Sequence, residues 1–194
     1  MSPPPRPAMV DLLARFEAAL AARGLLEPGE VEARMAITDR ASPAIGAAMV
    51  ARAWTEPGYR ALLLADGRAA AEDMGVTMAG SPPLGVLADA PGLHHLVVCT
   101  LCSCYPRAVL GYPPHWYKTA AYRARAVRDP RGVLAEWGTV LPEGTRVRVV
   151  DSTADYRWMV LPEQPPETQG WGAERLAGIV TRDVLVGVAL PLPV

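Results

Sequence analysis

All three cysteines of the chain fall within six residues, at Cys99, Cys102 and Cys104. A disulfide framework normally distributes an even number of cysteines along the chain, so this fold has to be held by an apolar core. About half of the 194 residues are apolar, which is enough for one. The run Leu93–Cys99, with Leu96, Val97 and Val98, reads as a buried strand that leads into the cysteine loop.

Around that strand the pattern is mixed. Val10, Leu13, Phe16 and Leu20 recur at three- and four-residue intervals and predict a helix over 9–23, stopped by Gly24. Ser42 followed by Pro43 is an N-cap and first-turn pair for a helix reaching Trp54. Residues 58–74 continue helical, punctuated by Gly67 and Gly75, while the Pro-rich residues 1–8 read as extended or disordered. Pro106, Pro113 and Pro114 keep the segment after the loop irregular. Helices are then expected over Thr119–Arg128, from Pro130 to Trp137 and over Trp171–Ile179. Val147–Asp151 and Tyr156–Leu161 read as paired strands, and Val184–Leu190 as a last strand. Without regular alternation of strand and helix the fold class is α+β. Residues 1–75 form an Ala-rich helical arm that packs on a partner, and residues 76–194 the domain that carries the loop.

Charge and hydropathy exclude several functions. The net charge is -1 and there is no basic stripe, which leaves no footprint for nucleic acid. The longest apolar runs, such as Val184–Leu192, are too short to cross a bilayer. The first residues contain no apolar segment of the kind a secretory signal has, so a cytoplasmic protein is expected. There is no internal repeat and no phosphate-binding glycine loop.

Three chemistries suit the cysteine spacing. A Cys-x-x-Cys pair is shared by redox proteins and by half of a zinc site. The third cysteine and the absent thioredoxin-like pattern weigh against the first, and the missing second Cys or His pair against the second. The third chemistry is a claw. If the amides of Ser103 and Cys104 are deprotonated, their nitrogens and the sulfurs of Cys102 and Cys104 form a near-planar set closed by five- and six-membered chelate rings. Cys99 then takes an axial position and leaves the opposite one open. Such a set does not suit tetrahedral zinc but suits low-spin trivalent cobalt or iron. His94 and His95 precede the strand and read as structural.

The segment Val98-Cys-Thr-Leu-Cys-Ser-Cys-Tyr105 resembles the metal-binding signature of nitrile hydratase alpha subunits and of the related metal subunit of thiocyanate hydrolase. The resemblance runs over roughly residues 45–190. It includes Ala51-Arg-Ala-Trp54, Leu64-Ala-Asp-Gly67, Leu110-Gly111, Pro114 to Lys118, Tyr122-Arg-Ala-Arg125, Pro130 to Leu134, Val160-Leu-Pro-Glu163 and Thr181-Arg-Asp183. It implies an enzyme that adds water to a nitrile to give an amide, as one subunit of a hetero-oligomer. Cys99, Cys102 and Cys104 would be the sulfur ligands, and Ser103 and Cys104 the amide ligands. Cys102, Ser103 and Cys104 are the candidate catalytic residues, with Cys102 as sulfinate and Cys104 as sulfenate. Thr100 and Tyr105 favour cobalt(III) over iron(III). The partner would be a second, beta-like subunit type, in one chain or split into two, whose arginines hold the oxidised cysteines. An anionic claw needs such cations, and the loop itself has only Arg107 nearby.

Arg107 departs from the family, where many cobalt-type members have Trp. A cation beside the pocket suits a polar nitrile, such as a nucleoside nitrile of the toyocamycin type, or anionic thiocyanate. It would equally pair with a carboxylate of the partner. Asp151, at a strand end, is a candidate support for the metal loop. Tyr117, Arg125 and Arg128 are candidates at the claw or the interface, Trp116 and Trp137 are packing residues, and Glu163 has no catalytic role. A non-catalytic metal carrier and a redox protein are the alternatives of another class.

Overall fold

The computed structural model describes residues 7–192. The expectation for the Pro-rich start falls largely outside them, because residues 1–6 are not described.

By packing, the chain divides into Met1–Thr38 and Asp39–Val194. The division thus lies earlier than the residue-75 boundary read from composition. The first unit contains helix α1, Pro7–Ala21, and most of α2, Glu30–Arg40, which the sequence pattern had not revealed. The apolar stripe that announced α1 is open to solvent at Leu13 and Phe16, and α2 buries no residue.

The second unit opens with helices α3, Pro43–Thr55, α4, Pro57–Ala65, and α5, Gly67–Asp73. Pro43 starts α3 as expected, and Ser42 sits in the extended N-cap conformation, but its hydroxyl makes no capping bond. Asp66 does cap α5, accepting from the Ala69 N–H at 3.0 Å. Met49, Val50 and Ala51 of α3 are wholly buried, so this small-residue helix forms one wall of the core. Trp54 Nε1 donates to the Pro162 carbonyl at 2.9 Å, tying α3 to the segment after the last strand.

Among the described residues, four short strands follow the helices or lie among them: β1, Leu84–Ala88; β2, Leu93–Val98; β3, Arg146–Asp151; and β4, Arg157–Leu161. Helices α6, Arg107–Leu110, α7, Ala120–Arg128, and α8, Pro130–Glu136, separate β2 from β3, and α9, Ala173–Gly178, follows β4. Mixed helices and short sheets give the expected α+β class. The pairing differs from expectation, because β3 and β4 do not form a hairpin. β2 pairs with β3 and β1 with β4, both in parallel. The reason lies in the apolar strands: β2 is buried almost throughout, and its backbone groups need a partner that water cannot replace. β1 itself escapes the sequence pattern because Gly85 interrupts it; the rings of Trp158 and Tyr156 occupy the space where a side chain would stand.

Val184–Leu190 is not a strand either. Val184–Val186 is a 3-10 turn, ended by Gly187 at φ 78°. A Cβ on Gly187 would overlap the His95 carbonyl, so the turn packs its backbone directly against β2. An apolar run of this length does not distinguish a strand from a buried turn. His94 and His95 lie within β2 rather than before it, opposite Val147 and Arg148, and are buried. Asp89 holds both: its carboxylate accepts from His95 Nδ1 at 2.9 Å and lies 3.0 Å from His94 Nδ1. Their structural reading stands.

Candidate metal centre

The cysteine loop leaves the C-terminal end of β2, where Val98 is opposite Asp151, the last residue of β3. That register brings the Asp151 carboxylate under the first turn of the loop. One oxygen accepts the Thr100 N–H at 3.0 Å and the other accepts the Thr100 hydroxyl. Arg123 of α7 donates to the Thr100 carbonyl at 3.1 Å. All three polar groups of Thr100 are thereby tied down, and Cys99 and Cys102 are set on either side of a fixed residue.

Tyrosines support the far side. Tyr117 donates from its buried hydroxyl to the Cys104 carbonyl at 3.0 Å, and Tyr122 to the Val97 carbonyl at 2.9 Å. Tyr105 and Tyr117 meet edge to face, and Trp116 packs on Trp137 with ring centroids 4.2 Å apart. Burial raises the pKa of Tyr105, Tyr117 and Tyr122 well above that of an ordinary phenol, so all three stay neutral, Tyr117 and Tyr122 as donors and Tyr105 as a packing prop.

The three sulfurs converge. Cys102 Sγ lies 3.5 Å from Cys99 Sγ and 3.2 Å from Cys104 Sγ, and all three are within 4.8 Å of one another. Disulfide sulfurs would be about 2.05 Å apart, so these are free groups held in contact. Two sulfurs about 2.3 Å from a shared ion stand about 3.3 Å apart at right angles and about 3.8 Å apart in a tetrahedron. The Cys102–Cys104 separation of 3.2 Å matches the right-angled arrangement, while the Cys99–Cys102 separation of 3.5 Å lies between the two. Cys99 is buried, Cys104 half-buried and Cys102 exposed, so the cluster opens on one side.

The electrostatics separate the thiols. Hydrogen bonding from Cys104, then from Cys99 and the Ser103 amide, lowers the Cys102 pKa to about 7. Burial, then the neighbouring sulfurs, raises that of Cys104 to about 12, with Arg157 acting in the opposite direction. The amides of both Ser103 and Cys104 act on the Cys102 sulfur. Sulfurs and amides thus gather within one tight turn, the donor set that a trivalent ion of the cobalt or iron type accepts.

The open side is a cleft of about 400 Å³, lined by Cys102 to Cys104, Arg107, Arg157, Met78 and Leu84 among others. Arg107 is on the cleft wall, stacked toward the Tyr112 ring at 5.6 Å. Arg125 is not at the loop: both of its Nη atoms pair with Glu136 at 2.7 Å. Arg128 lies by a shallow recess that also contains Thr100 and Arg123. Arg123 and Arg157 were not foreseen from sequence. Arg123 lies within the family-like segment Tyr122 to Arg125, which was the available signal, while Arg157 is carried to the site by the β1–β4 pairing.

A family model described as the alpha chain of nitrile hydratase matches residues 8–189. The match therefore begins well before residue 45 and takes in α1. The low-molecular-weight cobalt-containing nitrile hydratase subunit alpha of Rhodococcus rhodochrous is 46% identical over 177 residues, 91% of this chain and 86% of that one. The gamma subunit of thiocyanate hydrolase from Thiobacillus thioparus is 49% identical over 162 residues, 78% of this chain and 67% of that one. Among solved structures, a recombinant thiocyanate hydrolase comprising partially modified cobalt centres has a TM-score of 0.85 at 41% identity and covers 98% of this chain and 92% of that one. A double mutant of an iron-type nitrile hydratase from Comamonas testosteroni Ni1 has a TM-score of 0.82 at 37% identity, covering 98% and 97%.

Proposed function

Since the chain belongs to the nitrile hydratase alpha-chain family, we propose that it is the metal-carrying subunit of a hetero-oligomeric hydro-lyase that adds water to a nitrile to give an amide. The observation that carries this reading is the convergence of three free sulfurs, with separations of 3.2 and 3.5 Å, two of which, Cys102 and Cys104, line a cleft. Cys99, Cys102 and Cys104, with the amide nitrogens of Ser103 and Cys104, would hold cobalt(III), in keeping with the cobalt-containing relatives; iron(III) is the weaker choice. Bound there, the ion supplies Lewis acidity.

The chain's own groups do the rest. Asp151, Arg123 and Tyr117 hold the loop so that the ligands need not be ordered anew when metal arrives. The cleft admits the nitrile beside Cys104. Either a water in the cleft adds its oxygen to the nitrile carbon and gives its protons to the nitrogen, yielding the amide, or an oxygen carried on Cys104 as sulfenate bonds to that carbon while the nitrogen takes a proton. On the second route a water then attacks the Cys104 sulfur, breaking the S–O bond, so that the amide leaves and the sulfenate is restored. Cys102 as sulfinate adds negative charge that cations must balance, and arginines of a beta-like partner, in one chain or two, would supply most of them. The exposed apolar residues of α1, Leu13 and Phe16, suit an arm that lies on that partner. None of the described helices is long and apolar enough to cross a membrane.

Arg107 on the cleft wall favours a second reading on the same loop, the hydrolysis of thiocyanate, because an anion is drawn to that guanidinium. It also favours polar over plain alkyl nitriles, including a nucleoside nitrile of the toyocamycin type. The test is to co-purify the chain with its natural partners, measure metal and intact mass, and assay an alkyl nitrile, a nucleoside nitrile and thiocyanate. Cobalt near one per chain, oxygen added to the Cys99–Cys104 peptide, and amide formation support the proposal. Zinc or no metal with unmodified cysteines in the complete complex would sink it.

A further inference from the structure

The loop is anionic in every form that binds a metal, yet the cations nearest to it along the sequence are few. Pairing of β4 with β1 brings in one more. Arg157 is the first residue of β4, opposite Leu84, and its N–H donates to the Pro83 carbonyl at 2.9 Å. The next residue is tied as well, the Trp158 N–H donating to Ser152 Oγ at 3.2 Å. The backbone under Arg157 is therefore fixed, and its side chain lines the cleft that holds Cys102, Ser103 and Cys104.

Arg157 Nη1 is buried and has no acceptor among the described residues. Buried donors are rarely left so, and a guanidinium neither loses its charge nor rotates its fork to hide one N–H. No carboxylate lines the cleft; its other charged group is the cation Arg107. The charge of Arg157 acts on the Cys104 sulfur, and that sulfur is among the few acceptors within the cleft that are able to carry negative charge.

We propose that Arg157 is a positioning residue of the cysteine loop, its Nη1 donating to the sulfur of Cys104, or to an oxygen on that sulfur, in the metal-loaded protein. Part of the positive charge facing the claw then comes from this chain, and the partner completes it. The contact orients Cys104 toward the cleft and explains why an arginine, rather than an apolar residue, begins a strand whose last three residues are buried. The inference rests on the loop being a metal centre.

Arg157→Met and Arg157→Lys are compared with wild type in the complete, metal-loaded complex. Arg157→Met is expected to shift the sulfur-to-metal absorption band and to lower kcat by about tenfold or more with KM within about twofold, while Arg157→Lys recovers at least half of both effects. A band and kcat within about twofold of wild type in Arg157→Met, or a lysine variant no better than methionine, would overturn the proposal. Where both variants fail to assemble, a crystal structure of the wild-type complex decides. Nη1 within hydrogen-bond distance of the Cys104 sulfur or its oxygen supports the assignment, and Nη1 bonded instead to a partner carboxylate refutes it. A wild-type complex that carries metal and shows this contact but turns over neither nitrile nor thiocyanate would refute the proposed reaction and leave Arg157 in its place.

Discussion

Asp151 and Thr100 are 51 residues apart and are joined by two hydrogen bonds, one carboxylate oxygen to the Thr100 N–H and the other to its hydroxyl. The clasp exists because β2 and β3 run parallel in a register that ends with Val98 opposite Asp151. Strand pairing, rather than the loop's own sequence, decides where the cysteines stand.

Asp151→Ala should loosen the loop more than it weakens the fold. Both bonds are near the surface, so the loss of stability is about 1–2 kcal/mol, while support of this kind is worth about 10–100-fold in metal affinity. The expected result is a native-like circular dichroism spectrum with metal released to a chelator at least tenfold faster. Unchanged release would show that the clasp does not support the centre.

His94 gives the fold a pH dependence. Its Nδ1 faces Asp89 at 3.0 Å and its Nε2 faces the Gly187 carbonyl at 2.8 Å, so an acceptor stands at each nitrogen, an arrangement that favours the protonated ring. Burial alone lowers its pKa, but the bond to Asp89, the Asp89 charge and the Gly187 carbonyl together outweigh burial and raise it. The sign follows: this stabilisation is complete below the ordinary histidine pKa of about 6.5 and is lost as pH climbs through the raised value. The melting temperature should therefore fall from mildly acidic to alkaline pH. His94→Gln should flatten that slope and cost about 3 kcal/mol at acidic pH, by leaving Asp89 short of its cation. An equally steep slope in the variant would assign the dependence elsewhere.

Gly187→Ala should be among the most damaging single changes. The residue has φ 78°, and a methyl group would collide with the His95 carbonyl, displacing the turn from β2 and breaking the bond to His94. A cost of about 3 kcal/mol lowers the melting temperature of a chain this size by about 6–12 °C. Differential scanning calorimetry reads it, and a shift below about 2 °C would mean that the turn relaxes freely.

These dependences show what could be read from the chain alone. The loop, its three sulfurs and the buried strand before it were legible, since spacing and an apolar run are local properties. Helices α3, α7 and α8 announced themselves through Pro43, Thr119 and Pro130, where capping chemistry is written in adjacent residues. Strand partners were not legible. Val147–Asp151 and Tyr156–Leu161 look like a hairpin because they are neighbours, yet each is claimed by an apolar strand from earlier in the chain. The same long-range pairing brought Asp151 under Thr100 and Arg157 to the cleft. Asp151 was foreseen as a candidate support for the metal loop but without its partner Thr100, and Arg157 had no local mark. The turn at Val184–Val186 hid behind its apolar composition, and only Gly187 hinted that the segment bends.

Arg107 is expected to separate the two reactions proposed for the loop. Its guanidinium is on the cleft wall, and its nearest described ring, Tyr112, attracts it at 5.6 Å without neutralising it. A neutral nitrile gains little from a nearby cation before reaction, whereas thiocyanate gains Coulomb attraction on entry, about 1–4 kcal/mol at contact across water-like to surface-like surroundings. Arg107→Leu should raise KM for thiocyanate by about tenfold or more and leave KM for a small alkyl nitrile within about twofold. Added salt should mimic the substitution for the anion alone, because screening acts on charge and not on the nitrile. Steady-state kinetics on the complete complex, with both substrates at two ionic strengths, check this directly. Equal changes for the two substrates would place Arg107 in packing or in the subunit interface, and would remove the observation that favours an anionic substrate.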